Sequence, residues 1–165
     1  MKFHGLIHQF PQEVKLLIGA FVIVLSIGYY TGLAFVNETT NNTPTGIEEQ
    51  YLGNENDEEA TVMKFKKKKQ AIITLIHNHM ISLSVLFFML SLLVSITSFN
   101  KTLKKVVMIE PFVSILVSFG GIYFMWLGMT SLKYVVMLSG ILMTMSFITA
   151  TFMILFSLVK TPPIK

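Results

Sequence analysis

Hydrophobic and polar positions in this chain segregate into long blocks rather than alternating residue by residue. Apolar runs span roughly 14–36, 71–98, 111–132 and 134–159, separated by short polar stretches and one long one at 37–70. A helix needs about 20 predominantly apolar residues to cross a bilayer, and each run reaches that length. The pattern predicts an all-α membrane protein: a four-transmembrane-helix antiparallel bundle, one transmembrane domain over 1–165, with a polar loop of about 34 residues between helices 1 and 2.

Boundary signals refine the runs. Gly32-Leu33-Ala34 loosely fits a signal-peptide cleavage site. The preceding apolar run exceeds the roughly 7–15 residues of a signal h-region, which favours a retained helix. Pro111 suits the first turn of the third helix, where its missing N–H does no harm. Only a few residues around Thr130–Lys133 join the last two runs, so these form a tight antiparallel hairpin. The polar loop opens Asn/Thr-rich, becomes acidic and turns basic at Lys64–Lys69. It has too few apolar residues for a core of its own, so local turns and docking onto the helices are expected.

Composition narrows the chemistry. Of 165 residues, 53% are hydrophobic and 13% charged, about half a soluble domain's charged share. There is no cysteine, which excludes disulfides, thiolate metal sites and cysteine nucleophiles. All 13 basic residues are lysines clustered beside the apolar runs, where they act as headgroup anchors rather than a nucleic-acid surface. The same absence of arginine removes the bidentate phosphate clamp. The expected partners are the lipid bilayer and other membrane subunits or a second copy, with no nucleic acid. Four spans put both termini on one side of the membrane. The lysines are nearly balanced between the two sides; the acidic, Asn/Thr-rich loop resembles an exported segment, which places the termini in the cytoplasm.

Candidate chemistry centres on His77-Asn78-His79 near the start of the second run. An imidazole in hydrocarbon without a partner costs several kcal/mol, so an intramembrane histidine marks a candidate site. At 100° per residue His77, Ser84, Ser91 and Ser95 fall within about 40° of one another, a polar stripe expected to face the bundle interior. His79 lies about 200° away, so the pair is no two-tooth metal clamp. Antiparallel order sets Met125, Met129 and Met137 opposite His77, with Tyr29 and Tyr30 near the loop-side interface. A His facing Met at one depth is compatible with a haem axial pair or a soft copper site. The plainer reading weighs more: methionine fills gaps in apolar cores, and eleven of them in a hydrophobic chain need no cofactor.

Glu110 stands just before the third run, at the opposite membrane face from His77, where a carboxylate suits the positive end of a helix dipole. As a proton relay it would need partners near midplane, where only hydroxyls such as Ser84, Ser91, Ser114, Ser118 and Thr144 stand. His4 and His8, four apart, read as interface residues. Gly28 and Gly32, Ser114 with Ser118 and Gly121, and Gly140 with Thr144 are small-residue pairs of the kind that let membrane helices approach closely.

The string from Gly46 through Tyr51, Gly53 and Asn54, then His77-Asn78-His79, Glu110-Pro111-Phe112 and Gly120-Gly121, resembles a family of small four-helix bacterial inner-membrane proteins. Members share a YxGN loop, a second helix opening on HNH or HTH and an EPF start to the third. The resemblance implies a fold and a bacterial home, and singles out His77, His79, Tyr51, Asn54, Glu110, Gly120 and Gly121. It implies no reaction. With no nucleophile–base–acid set and no phosphate-cradling loop, a hydrolase or transferase is disfavoured. The expected function is a small subunit or assembly partner of a membrane complex, such as a respiratory one, with His77 and His79 beside haem, metal or quinone. The alternatives are a purely structural membrane protein and, third, an ion-conducting element.

Overall fold

Length and apolarity turn each run into a continuous helix. The computed structural model describes residues 6–55, 57, 60 and 62–159. Among them no strand occurs, and five α-helices carry the chain: α1 (Gln12–Thr40), α2 (Pro44–Leu52), α3 (Lys69–Ser95), α4 (Lys101–Trp126) and α5 (Lys133–Val159). All but α2 are long and apolar enough to span a membrane. At 1.5 Å per residue these four measure about 39–44 Å, covering the hydrocarbon layer and both interfaces.

The centre of the bundle is the α4–α5 hairpin. Gly121 makes it close: a Cβ there would lie 2.8 Å from Val136 Cγ2. One turn away the Ser118 and Ser139 hydroxyls share a hydrogen bond of 2.7 Å. In lipid, where apolar burial between helices gains little, this packing and hydrogen bonding hold the pair. α3 crosses α4 and α5 through buried Phe87, Leu90 and Val94. α1 touches chiefly α2 and α5, and only 6% of its apolar window is buried.

The polar loop is a built cap on one end of the bundle. Asn41 and Asn42 both adopt left-handed φ, near 50°, which stops α1 and reverses the chain. Thr43 then caps α2, its Oγ1 accepting the Gly46 N–H at 2.9 Å. Gly46 passes so near α1 that a Cβ would stand 1.9 Å from the Thr40 carbonyl oxygen, so no other residue fits. Three contacts tie the cap down: Trp126 Nε1 donates to the Lys67 carbonyl at 2.8 Å, Lys133 pairs with Glu48 at 2.6 Å, and Lys64 Nζ donates to the Thr39 carbonyl at 2.9 Å.

Several sequence expectations need correction. α4 begins ten residues before Pro111, at Lys101, with Asn100 Oδ1 accepting the Thr102 N–H at 2.7 Å. The Asn100 cap and the apolar Val106–Ile109 stretch outweigh the proline, which sits inside the helix. Its missing N–H deprives the Val107 carbonyl of a donor. One residue on, Ser91 of α3 donates to the Met108 carbonyl at 3.2 Å, the kind of side-chain support that lets membrane helices tolerate proline. His8 is buried rather than interfacial, because the Ile7–Gln9 turn tucks under the other end of the bundle, where the Ile7 N–H reaches the Ile96 carbonyl at 3.0 Å. His4 lies outside the described residues. Tyr29 is no interface anchor either: it stacks on Phe147 with ring centroids 3.9 Å apart, deep in the bundle.

Candidate functional site

The two histidines do not face the interior. His77 is exposed on the outer surface of the bundle, in a shallow groove between α3 and α4 lined by Ile73, Ile76, Met80, Phe119, Gly120 and Tyr123. The expected polar stripe fails because the packed seam of α3 follows its large apolar residues. At 100° per residue His77 stands about 80° round the helix from Phe87. Only Ser91 of the stripe is buried; Ser95 is exposed and bonds its own helix. His79 is also exposed, and its Nδ1 pairs with the Leu75 carbonyl at 2.9 Å while the ring lies 5.4 Å from that of Phe119. No hydrogen bond within the described residues engages the His77 ring.

The methionines do not converge on it. Met125 is wholly buried in the core, Met137 is half-buried, and Met129 is 59% exposed beyond the end of α4. None of the three lines the groove beside His77. Among the described residues no group of three His, Cys, Asp or Glu side chains stands close enough to hold a metal ion.

Tyr51 and Asn54 belong to the cap. Gly53, at φ 82°, bends the chain so tightly that a Cβ would lie 2.7 Å from the Lys66 nitrogen. Asn54 then clasps the returning strand of loop, accepting the Lys64 N–H at 2.6 Å and donating to the Val62 carbonyl at 3.0 Å. The Tyr51 carbonyl accepts the Lys67 N–H at 3.1 Å, and burial pushes its phenol above the ordinary value of 10.0. The YxGN string is therefore a loop-closing device.

Glu110 departs furthest from expectation. It is not at the head of a helix but at the tenth position of α4, about 14 Å along the axis from Lys101 and within a hydrocarbon layer of about 30 Å. Ser114, one turn on, donates to one carboxylate oxygen, and Ser146 of α5 donates to the other. Beside them Tyr29 of α1 shares a hydrogen bond with Thr144 at 3.3 Å, within electrostatic reach of the carboxylate. The sequence singles out Glu110, Ser114 and Thr144 but gives no sign of Ser146. The signal that joins them is the Asn100 cap, which moves Glu110 about two and a half turns into its helix.

Four apolar spans, a polar cap and a polar cluster between the spans define an integral membrane protein of the all-α class. Residues 41–164 match the Aq_1264_TM family of transmembrane helical domains, and the chain belongs to that family. No curated protein and no solved structure matches it.

Proposed function

We propose that this protein is a small accessory subunit of a larger assembly in a bacterial inner membrane, with both termini in the cytoplasm, and that it docks through the α3–α4 groove. The observation that carries the reading is His77: an imidazole about 12 Å along α3 from Lys69, turned outward and without a hydrogen-bond partner among the described residues. Left against acyl chains such a ring costs free energy; a polar group on a neighbouring membrane chain removes that cost. Gly120 beside it leaves a notch, since nothing stands within 4 Å of where a Cβ would be. The same holds for Gly28 and Gly32 on the sparsely packed α1, which offers a second face for close helix approach. A haem, metal or quinone at His77 would take its remaining contacts from the neighbour.

Purification in mild detergent followed by native mass spectrometry and a visible spectrum tests this. The expected result is a stoichiometric second chain, or a second copy, that is lost in His77→Ala and Gly120→Leu and kept in Leu138→Ala. A monodisperse single chain, or a partner indifferent to both groove variants, contradicts it. A Soret band or bound metal lost with His77→Ala would assign the cofactor form of the site.

A further inference from the structure

The Glu110 cluster is independent of the docking face and carries its own inference. A carboxylate at this depth is rare, because ionisation in a low-dielectric layer costs several kcal/mol without a compensating charge. Among the described residues no lysine or histidine supplies one: the ion pairs involve Glu48 and Glu49 in the cap. Lys104, on the same helix, spends its ammonium on the carbonyls of Ser95 and Thr97 at 2.9 and 3.0 Å. The titratable group that α1 brings to the cluster is Tyr29, hydrogen-bonded to Thr144. From α5 come the hydroxyls of Ser146 and Thr144, and the buried Ser91 of α3 is engaged with the Met108 carbonyl.

The hydrogen-bond partners of the Glu110 carboxylate are hydroxyl oxygens. The two carboxylate oxygens and the Ser114 and Ser146 hydroxyls bonded to them make a hard, all-oxygen donor set. Such a set suits small hard cations and disfavours soft metals. A single negative charge calls for a single positive one. The geometry points to a binding site for one small monovalent cation, a proton or a sodium ion, held at Glu110 by Ser114 and Ser146 inside the membrane. The cation neutralises the carboxylate, and the serine hydroxyls turn their lone pairs or their hydrogens toward the site according to its occupancy.

The same face of α5 extends the polar line in both directions. Ser139 lies seven residues before Ser146 and Ser157 eleven after, each within about 20° of it at 100° per residue. Ser139 is paired with Ser118, whereas the Ser157 hydroxyl, in a residue only 2% exposed, has no partner among the described residues. An unpaired hydroxyl on this line, on the termini side of Glu110, is a polar step between that surface and the site.

Dicyclohexylcarbodiimide tests the proposal on the full chain, reconstituted in vesicles of phosphatidylethanolamine and phosphatidylglycerol. This apolar reagent adds to a protonated carboxyl, whose proton passes to a carbodiimide nitrogen as the oxygen bonds to the central carbon. Peptide mapping is expected to find the adduct on Glu110, forming at least fivefold faster at pH 6 than at pH 8, and absent from E110Q. Slowing by sodium chloride but not by choline chloride assigns sodium; equal rates in the two salts assign the proton. S146A is expected to alter the pH or sodium dependence while the Trp126 emission stays unchanged, which a merely structural loss would not do. Labelling confined to the cap carboxylates, or a Glu110 rate indifferent to both pH and sodium, overturns the proposal, and this arm needs no variant to fold.

Discussion

Ser146 on α5 donates its hydroxyl to the carboxylate of Glu110 on α4, so the one acidic side chain deep in the spans is held by a neighbouring helix. That bond and the one from Ser114 together satisfy both carboxylate oxygens. Removing either donor leaves a half-buried acceptor short of a partner, at a cost of up to about 1–3 kcal/mol. Ser146→Ala and Ser114→Ala should each lower the thermal unfolding midpoint in detergent. The double variant should lose less than the sum, because the two hydroxyls serve one group.

The cap has a sign test in its glycines. Gly46→Ala drives a methyl into the Thr40 carbonyl and should destabilise by about 1–3 kcal/mol or more. Gly28→Ala meets nothing within 4 Å and should be neutral or stabilise the isolated chain by up to about 1 kcal/mol, since alanine is the better helix former. Thermal melts of the two purified variants read the difference directly.

Trp126, the sole tryptophan, reports on the cap through its bond to Lys67 and the Lys66 ammonium 5.2 Å from its ring centre. Burial raises the Tyr51 phenol above 10.0, so the folded cap favours the neutral form. Its contribution to stability is therefore complete below pH 10 and is lost as pH rises through the raised folded value. Trp126 emission should stay constant to about pH 10 and shift to the red above it. Tyr51→Phe should move that shift to higher pH or abolish it.

His77 separates stability from assembly. His77→Leu replaces an outward, unpartnered imidazole with an apolar chain, so the isolated protein in lipid should be as stable or gain about 0.5–2 kcal/mol. The same variant should weaken association with the partner chain. A marked loss of stability in the isolated protein would mean that the ring has a structural role within its own chain.

The spans were legible because hydrophobic length alone sets them: each of the four long helices overlaps its apolar run, with most ends shifted by up to four residues. α4 stops at Trp126, six residues short of the expected end, and starts ten residues before Pro111. There the usual preference of proline for a first turn misled, since a membrane helix can absorb proline when a serine supports the neighbouring carbonyl. α2 was not legible, because its nine residues carry no strong period and are held by Thr43, Gly46 and contacts to other helices. The direction of His77 was misread for a related reason: a stripe of small polar residues was allowed to choose the buried face, whereas Phe87, Leu90 and Val94 choose it. The family resemblance singles out Tyr51 and Asn54, but their work in closing the loop depends on the Gly53 turn and the return at Val62–Lys64. Sequence spacing cannot show that pairing.

Photocrosslinking in intact membranes tests the docking account most directly. Benzoylphenylalanine in place of Ile73, which lines the groove, should give one discrete higher-mass product on ultraviolet irradiation; in place of Phe152, exposed on α5, it should give none. No product from position 73, or the same product from both positions, would contradict a partner seated beside His77.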